Sequence, residues 1–164
     1  MKLARQAQGI WWALMACLVA TGVLCWWIPS HLSSATLDEA TRQLLTTVLL
    51  GVALFEIGIV TWLFLASWQP VAEKSLKKVW AGRLLDPAEG KTIGQTLFSR
   101  SLVIMVLCEA PAVYAVLLTI CGATQPLVIW GLLGASTGSL LYFRWQGLDP
   151  VTDIFRQIDR IAQP

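Results

Sequence analysis

The sequence predicts an all-α, polytopic membrane protein with four transmembrane helices, and three observations favour this fold class. Hydrophobic residues make up 56% of the 164 residues and charged residues only 13%, against about 25% charged in a typical soluble domain. Four stretches reach the roughly 20 apolar residues that a helix needs to cross a bilayer. Several of the nine Trp residues stand at the ends of these stretches, where an indole ring suits the headgroup level. We expect residues 1–164 to form one domain.

The predicted spans are residues 9–29, 44–68, 101–122 and 126–144. The first stops at Pro29 and the second at Gln69-Pro70, because proline lacks the amide that continues a helix. Residues 69–100 then form a loop on the inner side of the membrane, and residues 145–164 form a tail on the same side. The fourth span follows the third after a short turn at 123–125.

Capping signals predict where further helical segments begin. Thr36 and Glu39 form a capping box, so the second helix begins before the membrane. Asp86 and Asp149 each precede a proline and predict the starts of short amphipathic helices in the loop and the tail. The tail helix places its apolar residues on one face, which we expect to lie on the membrane surface or against the inner loop: Val151, Ile154, Ile158 and Ile161.

The positions of Lys and Arg predict the orientation. Of the 12 cations, all but Arg42 fall on one side if both termini are cytoplasmic, so we expect an N-in, C-in protein of the bacterial inner (plasma) membrane. The first segment could also act as a secretory signal. Its apolar run continues past Cys17 to Trp27 without a small-residue cleavage site, however, so we expect the segment to be retained.

Two carboxylic acids, Glu56 and Glu109, lie near the middle of the second and third spans. A charge at that depth costs about 2.5–3.5 kcal/mol on insertion scales, and no Lys, Arg or His lies at similar depth, so we expect both acids to be mostly neutral. One interpretation is a proton or cation site between the two helices. The other is that the acids bond to each other or to hydroxyl groups and hold the helices together; the candidate hydroxyls are those of Thr47, Thr61 and Tyr114.

The segment Leu107-Cys108-Glu109-Ala110-Pro111-Ala112-Val113-Tyr114 resembles the ion-binding helix of the proteolipid (c-type) rotor subunit of rotary ATPases. That resemblance implies that Glu109 carries the ion and that Tyr114 supports it. It covers about twenty residues. The second span lacks the family's tight glycine repeat, the inner loop is long, and the acid lies in the third helix, which argues against a ring rotor. The whole chain resembles small uncharacterised bacterial four-helix inner-membrane proteins.

Small residues predict a packing surface on the fourth helix. Gly134 and Gly138 form a Gly-xxx-Gly pair, and Gly131 begins a second ridge of small residues beside them. Such ridges allow close approach of another helix, within the chain or between chains. Cys25 and Cys121 both fall near the outer surface and could form a disulfide.

The sequence contains no motif for enzymatic chemistry. We find no nucleophile triad, phosphate-binding loop, dinucleotide fingerprint or metal-ligand spacing, and we expect no catalytic residues, metal, cofactor or nucleic-acid partner. The favoured hypothesis is a non-enzymatic accessory or structural subunit that contacts lipid and other membrane subunits or a second copy of itself. The alternative is a proton- or cation-translocating or small transporter subunit that uses Glu56 and Glu109.

Overall fold

A computed structural model describes residues 2–31, 37–80, 87–122 and 125–161, and nearly all of this part of the chain is helical. Its α-helices, in chain order, are α1 (Lys2–His31), α2 (Glu39–Trp62), α3 (Gln69–Trp80), α4 (Pro87–Ile120), α5 (Pro126–Phe143) and α6 (Asp149–Ile161). Four continuous helical stretches are long and apolar enough to cross a membrane: Ala4–Pro29, Glu39–Lys77, Lys91–Ile120 and Pro126–Arg156. The predicted all-helical fold with four such helices is confirmed.

The second and fourth long helices do not stop where the sequence predicts. A first π turn (Leu63–Trp68) joins α2 to α3, and a second π turn (Arg144–Leu148) joins α5 to α6, with helical backbone angles throughout. The prediction that the second helix stops at Gln69-Pro70 is therefore wrong, as is the prediction that Asp149 caps a separate tail helix. Proline crowds the carbonyl four residues earlier, and in both helices that carbonyl lies inside the wider π turn, which accommodates it.

The two π turns occupy equivalent positions in the two halves of the described chain. The Gln69 amide donates to the Phe64 carbonyl in the first, and the Asp149 amide donates to the Arg144 carbonyl in the second. Asp149 lies 80 positions after Gln69, and Arg144 lies 80 positions after Phe64. Pro150 likewise lies 80 positions after Pro70. The long helix formed by α2 and α3 and the one formed by α5 and α6 therefore both contain a π turn followed by a proline.

Helix α4 lies at the centre of the bundle. It packs against α1, α2 and α5, and its fully buried side chains include Leu97, Ser101, Ile104, Met105 and Leu118. Helix α2 is peripheral, because Ala53 is the one buried residue among Glu39–Trp62. In a water-soluble protein its exposed apolar surface would be costly, whereas in lipid it would be ordinary.

Helices α3 and α6 pack against each other beyond the π turns, and α6 also contacts α1 and α4. Val151 and Ile154, on the predicted apolar face of α6, are buried. The side chains of Ile158 and Ile161 lie outside the described residues. The apolar face of α6 thus packs against helices of the same chain, which include α3, the helix of the predicted inner loop.

The cap of α2 differs from the predicted capping box. Asp38 is the N-cap, and its Oδ2 accepts a hydrogen bond of 3.1 Å from the Thr41 amide. Hydrogen bonds from Thr41 lower the pKa of Asp38. Asp is at least as good a cap as Thr, so α2 begins at Glu39. Thr36 and the second predicted cap, Asp86, lie outside the described residues.

Candidate functional site

One of the two predicted acids is held between α2 and α4. The Tyr114 hydroxyl donates a hydrogen bond of 2.6 Å to Glu56 Oε1. Ala53, one turn before Glu56 on the same face of α2, is buried and lets the two helices approach closely here. Glu56 Oε2 is buried and has no hydrogen-bond partner among the residues that the structure describes. The carboxyl group therefore has one satisfied and one unsatisfied oxygen.

A second polar contact joins α4 to α5 at nearly the same level. The Ala112 amide donates a hydrogen bond of 2.9 Å to Ser136 Oγ, and both residues are buried. Pro111 immediately precedes this amide and has no amide of its own, so the helix is weakest in hydrogen bonds at this point. Ser136 also lies 80 positions after Glu56. Equivalent positions of α2 and α5 thus supply polar groups to the two sides of α4, and we call this set the mid-span polar layer.

Glu109 lies apart from the Glu56–Tyr114 pair. It precedes Tyr114 by five residues on α4, which places it about 140° further around the helix. Glu109 is half-buried, and its carboxyl group makes no hydrogen bond within the described part of the chain. The Thr47 and Thr61 hydroxyls donate to the carbonyls of Gln43 and Ile57 in their own helix. Of the predicted partners, the structure brings only Tyr114 to an acid.

Aromatic residues connect the two π turns. The Phe143 ring lies 5.9 Å from the Phe64 ring and 5.7 Å from the Trp68 ring, each close to perpendicular. The Trp68 indole donates a hydrogen bond of 3.0 Å to Ser101 Oγ, and both side chains are buried. These edge-to-face pairs and the indole hydrogen bond fix α2, α4 and α5 at the end of the bundle where the π turns lie.

The second π turn is also fastened to α1. The Arg144 guanidinium lies 4.1 Å above the Trp11 ring and 5.6 Å from the Trp12 ring. Its Nε is 3.7 Å from Asp149 Oδ1, and the Trp11 indole donates to the Leu140 carbonyl at 3.4 Å. The sequence indicates only that Trp residues stand at the ends of the apolar stretches, where an indole suits the headgroup level. Their pairing with Arg144 requires knowledge of which helices are neighbours.

The small-residue ridge of α5 faces away from the rest of the described chain. Gly131, Gly134 and Gly138 are exposed, and a Cβ added at any of them would meet no atom within 4 Å. The buried residues of α5, among them Leu133 and Ser136, lie on its other side. The sequence left open whether these glycines pack against a helix of the same chain or of another chain. Among the described residues, no helix of the same chain packs against them.

All four cysteines are free thiols in the structure. Cys25 is buried and Cys121 is half-buried, so the disulfide that the sequence allowed between them is not formed.

No family model, no curated protein and no solved structure matches this chain. The likeness of the Leu107–Tyr114 segment to the rotary-ATPase proteolipid helix therefore stays a local resemblance.

Proposed function

We propose that this chain is an integral protein of the bacterial inner membrane, with both termini in the cytoplasm, and that it serves as a non-enzymatic accessory subunit of a membrane complex. It binds a transmembrane helix of its partner through the α5 ridge, which we define as Gly131, Gly134 and Gly138. The observation that carries this proposal is that all three glycines face outward and have open space beside them.

The charge distribution supports the orientation. Lys74 and Lys77 of α3 are exposed beyond the first π turn, and Arg100 and Arg144 lie level with the two π turns. Cytoplasmic segments are enriched in Lys and Arg because these cations resist transfer across the membrane. The end of the bundle that carries α3 and α6 is therefore the cytoplasmic end, and the Glu39 end of α2 is the outer end.

The energetics of glycine support a docking role for α5. Each glycine inside a helix costs about 1 kcal/mol relative to alanine, so three on one exposed ridge lower helix stability, and no described residue packs against them. Small residues let two helix backbones approach closely, which gives the van der Waals contact that holds helices together in lipid. The packing of a partner helix against the α5 ridge would offset the helix stability that the glycines lose.

The test compares substitutions of two glycines that both have open space beside them in the described part of the chain. Gly134→Ile should abolish or strongly weaken association because the branched side chain separates the backbones, whereas Gly51→Ile on the exposed face of α2 should not. Both glycines have nothing within 4 Å of an added Cβ, so both variants should fold normally. Association is measured by cross-linking in native membranes and by co-purification in mild detergent. Equal yields of complex for wild type and Gly134→Ile would rule out docking through the α5 ridge.

Glu56 supports a second candidate function, a proton- or cation-binding subunit. Its buried Oε2 lacks a partner among the described residues, while its Oε1 accepts from Tyr114. A carboxyl group in that state can hold a proton on the free oxygen, and acids at this depth in membrane proteins commonly mark ion or proton pathways. Glu109 contributes to this function only if a pathway reaches a different face of α4.

A flux assay separates the two functions. In the docking function, Glu56→Gln preserves complex formation, because an amide replaces the neutral acid as donor and acceptor. In the proton function, the same substitution abolishes proton or cation flux into vesicles that contain the purified complex. Glu109→Gln is the matched control, since it changes an acid at similar depth on another face. Flux in the wild-type complex that Glu56→Gln eliminates and Glu109→Gln spares would favour the second function.

A further inference from the structure

Arg100 is held at the first π turn, and no described carboxylate pairs with it. Its guanidinium donates to the Ser67 carbonyl, which uses one of its five N–H donors. No carboxylate lies within ion-pair distance of it in the described part of the chain. The side chain is half-buried and lines an open groove, so its remaining donors are available to a ligand there.

An apolar groove begins at Arg100 and runs along the outside of the bundle. It has a volume of about 170 Å³ and lies between the start of the first π turn and α4; its lining residues are Leu63, Ser99, Arg100, Val103 and Ile104. Ser99 and Arg100 stand at one end, and Val103 lies one turn further toward the mid-span polar layer. The groove therefore combines an apolar channel with a cation at the end nearest α3.

We infer that this groove is a binding site for an anionic phospholipid of the cytoplasmic leaflet, with the phosphate on Arg100 and one acyl chain along Leu63 and Val103. An arginine guanidinium suits phosphate because its planar N–H groups match two oxygens at once. Basic pockets between transmembrane helices on the cytoplasmic side are where anionic headgroups bind. The charge of Arg100, which no described carboxylate pairs, and the apolar groove beside it match the two parts of such a lipid.

The dimensions of the groove favour an acyl chain over a protein helix. A helix with its side chains is about 10–12 Å wide and rises about 5.4 Å per turn, so even one turn exceeds a groove of about 170 Å³. Lys74 adds a second cation for the headgroup. It follows Ser67 by seven residues, about two turns, so it lies on the same helix face and further from the membrane centre. Lys74 is exposed, as a headgroup contact would require.

This inference rests on the membrane insertion proposed above and not on docking through the α5 ridge, so the two can fail separately. The test titrates the full chain in neutral detergent with phosphatidylglycerol or phosphatidylcholine and counts bound lipids by native mass spectrometry. We expect phosphatidylglycerol to bind about tenfold more tightly than phosphatidylcholine. Arg100→Gln should remove this preference, because the amide keeps a donor for the Ser67 carbonyl but carries no charge.

Control variants distinguish the effect of the Arg100 charge from the effect of the groove and from misfolding. Lys91→Gln removes an exposed cation elsewhere on α4 and should leave the preference unchanged, and Arg100→Lys should keep most of it. Val103→Trp fills the groove and should weaken the binding of both lipids about tenfold. Val106→Trp, at an exposed position outside the groove, should leave the binding of both unchanged.

Inorganic phosphate distinguishes a lipid from a free anion. At millimolar concentration it should not displace phosphatidylglycerol, because it makes no contact with the groove. Displacement by phosphate, or equal lipid preferences in wild type and Arg100→Gln, would overturn the inference.

Discussion

Gly147 has no room for a side chain beside it. A Cβ at this position would lie 2.7 Å from Cε2 and 2.9 Å from Cδ2 of the Phe143 ring. The ring cannot move aside easily, because Phe64 and Trp68 hold it on other sides. Overpacking of this kind costs about 1–3 kcal/mol. We therefore expect Gly147→Ala to destabilise the bundle even though alanine is the better helix former.

Gly58→Ala is the matched control, since Gly58 also lies inside a helix and an added Cβ there meets nothing within 4 Å. Both substitutions gain the same helix propensity, up to about 1 kcal/mol. The difference between their free energies of unfolding therefore isolates the clash, and we expect Gly147→Ala to be less stable than Gly58→Ala by about 1–3 kcal/mol. Reversible unfolding in mixed micelles, followed by circular dichroism, measures both. Equal stabilities would show that the second π turn is not packed as described.

Three further predictions concern polar contacts. Ser101→Ala should lower the free energy of unfolding in micelles by about 1–3 kcal/mol, because the buried Trp68 indole N–H loses its acceptor; an unchanged value would contradict that contact. Tyr114→Phe should cost about 1 kcal/mol in wild type and less when Glu56 is already replaced by Gln, since the two side chains share one hydrogen bond; additive effects would mean that they do not interact. Capping holds the pKa of Asp38 below its ordinary value, so its stabilising effect is complete above the unfolded-state pKa and is lost as the pH falls below about 4. In Asp38→Ser the free energy of unfolding should fall less as the pH is lowered, because serine caps the helix without titrating. An identical pH profile in the variant and the wild type would exclude the cap as the source of the loss.

The helical spans could be predicted because length and apolar composition decide them, but their ends could not. Gln69-Pro70 and Asp149-Pro150 look like stop signals when proline is considered alone. The π turn that precedes each proline accommodates its ring within a continuous helix. Whether a π turn forms depends on how Phe64, Trp68 and Phe143 pack together. A sequence signal was nevertheless present, since the Pro-Val pair occurs twice, 80 residues apart.

The candidate site could be predicted only in part for a similar reason. Depth along a helix follows from counting residues, so Glu56 and Glu109 could be placed near the middle of their spans, with Tyr114 as a candidate partner. Which of them meet depends on how α2 and α4 are rotated toward each other, and a list of mid-span polar residues does not contain that information. The face of α5 that carries Gly134 likewise depends on where Leu133 and Ser136 are buried. Arg100 and its groove depend on the position of the Ser67 carbonyl, which no sequence pattern marks.

The central claim, a four-span membrane protein with α3 and α6 in the cytoplasm, is tested most directly by mapping its orientation. A reporter protein that is active only in the cytoplasm is fused after His31, after Lys78 or after Pro164, and its activity is measured in intact cells with expression levels matched by immunoblot. The account predicts activity at Lys78 and Pro164 and none at His31, because all cations but Arg42 then stay on the cytoplasmic side. Activity at His31 with none at Lys78 would contradict the orientation and, with it, the cytoplasmic position of Arg100 and both π turns.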